Sequence, residues 1–135
     1  MCIRDSIYSD HWHIRGNATL TYGQNTTLSE PIGGIPPLFG LFGIQYRHNK
    51  YKADLYTRFA AKQDRLSADD MDDPRIPNGG TPPWQTYNFR LNYQISAFLN
   101  AQFAVENILD YNYREHGSGM NGPGRNFIIS IGITI

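Results

Sequence analysis

The chain has 135 residues, and its twelve lysines and arginines balance twelve aspartates and glutamates, so the formal net charge is zero. Charged residues make up 18% of the chain, against roughly 25% in soluble globular domains. The balanced charge argues against a nucleic-acid-binding protein. The lack of an apolar run of about 18 residues argues against a transmembrane helix, and a single cysteine, Cys2, excludes a disulfide scaffold.

Polar and apolar residues alternate along six segments, which is typical of β-strands with different surroundings on their two faces. In chain order the predicted strands cover about residues 11–24, 38–47, 51–63, 85–95, 99–113 and 125–135. The apolar faces carry no charge, whereas the opposite faces carry Arg15, Arg47, Lys52, Asp54, Arg58, Lys62, Arg90, Glu106 and Asp110. The sequence therefore predicts an all-β fold, an antiparallel up-and-down meander of about six long strands.

Three features favour a membrane barrel over a soluble one. Short connections around 48–50 and 96–98 alternate with long ones at 25–37, 64–84 and 114–124, as in outer-membrane barrels. The strands reach roughly the ten residues that a tilted membrane strand needs. Aromatic residues lie near the ends of the apolar faces, where the two membrane interfaces favour them: Trp12, Tyr22, Tyr46, Tyr51, Tyr87, Tyr93, Tyr111 and Tyr113.

Six strands are too few to close a barrel in lipid, since such barrels begin at about eight strands. We therefore expect strands to be missing at the N-terminal side. Residues 1–6 resemble a translated adaptor remnant and not a signal peptide. We expect them to be non-native, which would leave residues 7–135 as the genuine portion of the barrel.

Two neighbouring motifs near the C-terminus carry a family resemblance. The segment Val105, Glu106, Asn107, Ile108, Leu109, Asp110, followed by the Asn/Tyr-rich stretch to Tyr113, resembles the penultimate-strand signature of TonB-dependent outer-membrane receptors. Pro123, Gly124 and Arg125 look like the start of the last strand in that family. The resemblance spans roughly residues 12–135. The chain departs from the family pattern at its end, which is Ile-Thr-Ile and not aromatic.

The resemblance implies a C-terminal fragment of a 22-stranded transmembrane β-barrel in the bacterial outer membrane. Whole receptors of this family import a scarce ligand, such as an iron-siderophore complex or cobalamin. The implied partners are outer-membrane lipid, the missing N-terminal strands and plug of the same chain, and TonB, contacted through the missing part. We expect no nucleic-acid partner and no cofactor.

The long loops contain the candidates for ligand contact, because binding residues concentrate on loops. They are Asp69, Asp70, Asp72, Asp73, Arg75, Arg114, Glu115 and His116. The spacing of the four aspartates does not fit a calcium loop, and a solvated loop is the favoured interpretation. Glu106 and Asp110 are expected to form ion pairs in the lumen with Arg90 or Arg58. His11 and His13 are expected on one strand face without a third metal ligand.

Catalysis finds no support in the sequence. Residues 117–122 read G-x-G-x-x-G, but a strand and not a helix follows, so nucleotide binding is disfavoured. Ser118 lacks the frame of a nucleophile elbow. We expect a non-enzyme that serves as part of a TonB-energised receptor. Two alternatives stay open: a small outer-membrane barrel, porin-like or lipid-acting, and a soluble β-barrel binding module.

Overall fold

A computed structural model of the chain describes the backbone of residues 2–8 and 10–134 and the side chains of residues 10–134. Within this range the fold is all-β, and the predicted antiparallel meander is confirmed. Seven strands form one sheet in the order β1, β2, β5, β6, β7, β8, β9. They are β1 (Cys2–Tyr8), β2 (Trp12–Thr19), β5 (Phe39–His48), β6 (Tyr51–Ala60), β7 (Trp84–Gln94), β8 (Leu99–Glu106) and β9 (Asn126–Ile133).

Three short elements lie in the connections between the strands of this sheet. The strands β3 (Gln24–Asn25) and β4 (Glu30–Pro31) pair with each other, and α1 (Ala68–Asp72) is a single helical turn. The prediction contained neither these elements nor β1, which pairs with β2 from Cys2 opposite Thr19 to Tyr8 opposite His13. No helix in the described part of the chain is long and apolar enough to span a membrane.

Several strands end earlier than the alternation predicts. The predicted strand 99–113 was too long: β8 ends at Glu106, because Asn107 adopts a left-handed backbone with a φ of 49°. Likewise β2 ends at Thr19 and β6 at Ala60, where the chain leaves the sheet for long loops. The predicted strands were longer because the first loop residues beyond each strand still alternate between polar and apolar.

The strand register aligns the apolar residues of neighbouring strands into one continuous face. Phe103 of β8 lies between Leu91 of β7 and Ile129 of β9. Leu55 of β6 likewise lies between a β5 isoleucine and a β7 phenylalanine. Because side chains alternate strictly along a strand, this register leaves every charged side chain of β2 and β5–β9 on the other face of the sheet.

Burial is inverted relative to a soluble β-protein. On the apolar face Ile129 is 78% exposed and Leu55 53% exposed, whereas on the polar face Asp54 and Asn88 are each only 4% exposed. Side chains crowd together on the concave side of a curved sheet and spread apart on its convex side. The polar face is therefore the concave one, which is the arrangement of a barrel whose lumen is polar and whose outside is apolar.

The connections segregate by length, as predicted. Two-residue and four-residue turns join β5 to β6 and β7 to β8 at one end of the sheet. The three long loops, residues 20–38, 61–83 and 107–125, all lie at the opposite end. We call these the first, second and third long loops. The small apolar core, formed by Ala60, Trp84 and Tyr113, lies beneath them.

Candidate functional site

The polar face carries a connected set of charges across its middle. Arg15 of β2 donates from Nη2 to the Asp54 carboxylate of β6 at 2.5 Å, although β5 lies between the two strands. Gly43 of β5 makes this crossing possible. A Cβ at position 43 would lie 2.8 Å from the Cβ of Tyr56 and 3.5 Å from the Arg15 Nε atom. The glycine therefore leaves the gap through which the arginine reaches its partner.

A second ion pair continues the same row of charges. Arg90 of β7 lies 3.7 Å from the Glu106 carboxylate of β8, which is one of the pairings that the sequence predicts. The Tyr56 ring lies between the two arginines, 5.8 Å from the Arg15 guanidinium carbon and 5.9 Å from that of Arg90. The polar face of the sheet, which we call the wall, is thus held together by charge pairs and cation–π contacts and not by an apolar core.

The predicted ion pairs of Asp110 and Arg58 are wrong. Asp110 lies beyond the end of β8 and accepts a hydrogen bond from the Arg125 N–H at 2.7 Å. Arg58 instead reaches upward from β6 to Glu115 of the third long loop, with an N–O distance of 2.9 Å. The same guanidinium lies 5.6 Å from the Trp84 ring centroid. Arg58 therefore ties the loop to the wall.

The three long loops contact one another through buried polar groups. Gln63 and Thr81 pair within the second loop, and the Gln63 side chain donates to the Ile35 carbonyl of the first loop at 2.5 Å. A 2.8 Å hydrogen bond joins the Thr81 hydroxyl to His116 Nδ1 of the third loop. The sequence signals neither Gln63 nor Thr81, because nothing in a loop pattern identifies its distant hydrogen-bond partners.

The aspartate-rich segment is only partly a solvated loop, so that prediction is wrong for Asp70. Ser67 caps the helix α1 in a capping box with Asp70, and each donates a backbone N–H to the other's side chain at 3.1 Å. Asp70 is 7% exposed and also accepts a 2.9 Å hydrogen bond from the Gly34 N–H of the first loop. Asp70 therefore links two loops.

The carboxyl groups of this segment differ in their surroundings. Burial alone would raise the pKa of Asp70, but hydrogen bonds from Gly34 and Ser67 outweigh burial and lower that pKa. Hydrogen bonds from the Arg75 side chain and backbone lower the pKa of Asp73 to about 2. Asp69 and Asp72 are exposed, and neither forms an ion pair or side-chain hydrogen bond among the described residues. These two carboxylates are the accessible part of the cluster.

The first family motif turns the chain out of β8. Asn107 is 3% exposed, and its side-chain Nδ2 donates to the Tyr111 carbonyl at 2.8 Å and to the Pro123 carbonyl at 3.0 Å. Its Oδ1 accepts from the Tyr111 N–H at 2.9 Å, and its own N–H donates to Asn88 Oδ1 at 3.0 Å. If β8 continued, the Asn107 amide would lie on the apolar face without hydrogen-bond partners. Because the strand ends there, the amide forms hydrogen bonds with loop backbone groups instead.

The second motif is hydrogen-bonded to the first. Besides the bond from its N–H to Asp110, Arg125 donates from Nε to the Ile108 carbonyl at 2.8 Å. A Cβ at Gly124 would lie 2.7 Å from Asp110 Oδ1, so a side chain there would displace the carboxylate from the Arg125 N–H. The two motifs, separate in sequence, form one hydrogen-bonded clamp at the base of the third long loop. Val105 stays in β8 opposite Phe127 of β9.

Tyr113 lies below the loops and not in an aromatic belt at the membrane interface, so its predicted place is wrong. Its ring is 8% exposed and packs on the Trp84 ring with a centroid distance of 4.5 Å. The Gly122 backbone lies against the same ring, since a Cβ there would lie 2.2 Å from it. At the short-turn end the predicted aromatic residues do cluster: Tyr51 and Tyr93 stack at 4.6 Å, and Trp12 packs on Tyr46 at 4.8 Å.

A cleft of about 260 Å³ opens where the loops meet the wall. Pro36, Phe39 and Trp84 supply apolar surface, and the Arg58–Glu115 ion pair and His116 supply polar groups. Of the loop candidates from sequence, the structure brings Glu115 and His116 to this cleft. Arg114 instead binds Asn121 Oδ1 at 3.0 Å and lines a second cleft of about 200 Å³ beside Trp84.

The two histidines near the start of β2 do not share a face. The His11 ring lies 5.0 Å from the His48 ring and 6.1 Å from that of Tyr46, on the apolar side. His13 lies opposite Gln45 on the polar side. The strand begins only at Trp12, so alternation does not extend to His11. Among the described residues, no three His, Cys, Asp or Glu side chains are grouped as metal ligands.

Comparison with known proteins identifies a shared fold. No protein-family model matches the chain, and no curated protein sequence matches it either. Among solved structures, the chain is similar to the copper transporter OprC, with a TM-score of 0.82 and 19% sequence identity. The match covers 93% of this chain and 21% of the OprC chain. The described sheet is therefore folded like about one fifth of a much larger transporter.

Proposed function

We propose that this chain forms part of the wall of a bacterial outer-membrane β-barrel receptor that imports a ligand. One observation carries the proposal: large apolar side chains of the uncharged face are exposed, whereas polar side chains of the opposite face, such as Asp54 and Asn88, are buried. In a barrel built this way the apolar residues contact lipid and the ion pairs line a polar lumen. The fold likeness to a copper transporter supports the transport role.

Our proposal extends to the TonB-dependent receptor class on the strength of the joined motifs. The Asn107 side chain donates to the Pro123 carbonyl, and the Asp110 side chain accepts from the Arg125 N–H. This clamp fixes the base of the third long loop where a receptor would present its ligand-binding surface. In the complete protein, a plug from the same polypeptide would fill the lumen, and TonB would supply the energy for import.

The proposed ligand contacts lie around the cleft where the loops meet the wall. Arg58, Glu115 and His116 offer one cation, one anion and one ring nitrogen next to the apolar surface of Trp84. A pocket with apolar walls and a few convergent polar groups is typical of small-molecule sites. The exposed carboxylates of Asp69 and Asp72 are on the second loop and do not line this cleft.

Uptake measurements on the complete protein test this proposal. Cells that produce it and cells that lack it are supplied with radiolabelled iron-siderophore complexes, cobalamin or copper, the last being the cargo in the name of OprC. We expect energy-dependent uptake of one of these ligands, abolished by a protonophore or by loss of TonB. A matched pair of variants, Arg58→Gln and Lys62→Gln, locates the site, since both remove one positive charge but only Arg58 lines the cleft.

The outcomes separate the alternatives. Ligand uptake that persists after the proton gradient is collapsed would mean a passive, porin-like barrel. Recovery of the protein in the soluble fraction without detergent would mean a soluble binding module and would overturn the membrane proposal. Equal uptake by the Arg58→Gln and wild-type proteins would remove the cleft from the ligand path.

A further inference from the structure

Two places in the long loops have an asparagine followed directly by a glycine, the pair that most readily loses its side-chain amide without an enzyme. They are Asn78–Gly79 in the second loop and Asn121–Gly122 in the third. In this reaction the backbone nitrogen of the second residue attacks the asparagine Cγ atom. Glycine favours the attack because it has no Cβ to obstruct it and its backbone is conformationally free. The reactivity of each pair therefore depends on how the fold holds that nitrogen and that side chain.

The first pair lies in an exposed turn and is not held. Asn78 and Gly79 are both exposed, and a 2.9 Å hydrogen bond from the Gly80 N–H to the Pro77 carbonyl closes the turn. Among the described residues, neither the Asn78 side chain nor the Gly79 N–H has a hydrogen-bond partner. Gly79 has a φ of 85°, and a Cβ there would meet no atom within 4 Å. Both reacting groups of this pair are thus free to approach each other.

The second pair is held at both reacting groups. The Gly122 N–H donates to the Tyr113 carbonyl at 2.7 Å, and Arg114 Nε donates to Asn121 Oδ1 at 3.0 Å. Gly122 also lies against the Tyr113 ring. The attacking nitrogen must lose its proton and turn toward the side chain, so the hydrogen bond to Tyr113 has to break first. The loss of one such bond is enough to slow a reaction by about tenfold.

We propose that Asn78 is a site of spontaneous deamidation in the folded protein, whereas the fold protects Asn121. The Gly79 nitrogen bonds to Asn78 Cγ, and the side-chain nitrogen leaves as ammonia with the proton that the Gly79 nitrogen gives up. Water then opens the cyclic imide to a carboxylate. The net change is the exchange of ammonia for water, without oxidation or reduction, and it gives the exposed turn a negative charge.

One of the two products also lengthens the main chain. Water that attacks the main-chain carbonyl of the imide leaves isoaspartate, in which the main chain runs through the side-chain carbon and gains one methylene. The next residues join the loops: Gly80 is buried, and Thr81 pairs with Gln63 through backbone hydrogen bonds of 2.9 and 3.0 Å and binds His116 of the third loop. Isoaspartate at position 78 should loosen this contact, whereas aspartate only adds charge to an exposed side chain.

Peptide mapping by mass spectrometry tests the proposal on the full chain, folded in non-ionic detergent micelles and kept in mildly alkaline buffer. We expect the mass gain of an amide-to-acid conversion to accumulate about tenfold faster at Asn78 than at Asn121. In urea the two sites should react at similar rates, because the hydrogen bonds that protect Asn121 are lost. Equal rates in the folded chain, an unmodified Asn78, or a difference that persists in urea would overturn the proposal.

Thermal melts of the same samples separate the two products. Asn78→Asp supplies the aspartate product directly and should melt like the wild-type chain. Asn78→Gln keeps a neutral amide and is the control for the incubation. After incubation the wild-type chain should contain a fraction of lower melting temperature that Asn78→Gln lacks. An equally low melting temperature in Asn78→Asp, or identical melts of incubated wild type and Asn78→Gln, would contradict the effect of the longer main chain. These results do not depend on ligand import or on lipid contact.

Discussion

Replacement of Asn107 by alanine tests the clamp at the base of the third long loop. The side chain makes three hydrogen bonds to backbone groups, at 2.8, 2.9 and 3.0 Å, and is 3% exposed. Each lost bond should cost about 1 kcal/mol. Alanine must also adopt the φ of 49°, which costs about 1 kcal/mol more. We therefore expect Asn107→Ala to lower the free energy of unfolding by about 4 kcal/mol.

Urea unfolding of the chain in detergent micelles, followed by tryptophan fluorescence, measures this change, because Trp84 lies next to the loop. Asn112→Ala is the control, since Asn112 is exposed in the same loop and its side chain makes no hydrogen bond to any described residue. Asn107→Gly separates the two contributions: it should recover about 1 kcal/mol, because glycine tolerates a positive φ. If Asn107→Ala unfolds within about 0.5 kcal/mol of Asn112→Ala, the clamp does not hold the loop.

Two further predictions concern the packing and titration of the loops. Gly122→Ala should cost about 1–3 kcal/mol in urea unfolding, because its Cβ would lie 2.2 Å from the Tyr113 ring. The folded-state pKa of Asp70 lies below its ordinary value of 3.8, so its stabilising contribution is complete above that value and is lost as pH falls through the lower one. Thermal melts between pH 5 and pH 2 should therefore show a pH-dependent loss that Asp70→Asn reduces.

Each of these predictions has a control of matched chemistry. Gly119→Ala should be nearly neutral, because its Cβ would meet nothing closer than 3.7 Å, and an equal loss at both glycines would refute the Tyr113 contact. Asp69→Asn changes an exposed carboxylate next to Asp70. The account of Asp70 fails if Asp69→Asn and Asp70→Asn have the same pH profile of melting temperature.

The sheet could be predicted from sequence because its alternation is a local property. The run from Phe127 to Ile133 identifies a strand with two different faces without knowledge of its neighbours. Because each strand has one uncharged face, the alignment of these faces limits the register between strands. Strand ends could not be predicted in the same way. Alternation continues past Glu106 to Tyr113, and only the left-handed backbone at Asn107 reveals that the strand has ended.

The site was only partly predictable, because its contacts join distant parts of the chain. The pairing of Arg90 with Glu106 follows from adjacent strands, but that of Arg58 with Glu115 spans 57 residues and depends on how the third loop folds back. Asp70 looks like any other acidic loop residue in sequence. Its burial arises from a contact with Gly34 of another loop, for which a single sequence carries no signal.

The central claim is that the apolar face of the sheet contacts lipid, and fluorescence quenching tests it most directly. In a Cys2→Ser background, a fluorescent bimane is attached to Phe103→Cys or to Gln102→Cys, adjacent positions of β8 on opposite faces. The labelled chains are placed in phospholipid vesicles. Brominated lipid should quench the label at 103 strongly and that at 102 weakly, whereas aqueous iodide should show the reverse order. Equal quenching at both positions, or lipid quenching only at 102, would contradict the proposed orientation of the sheet.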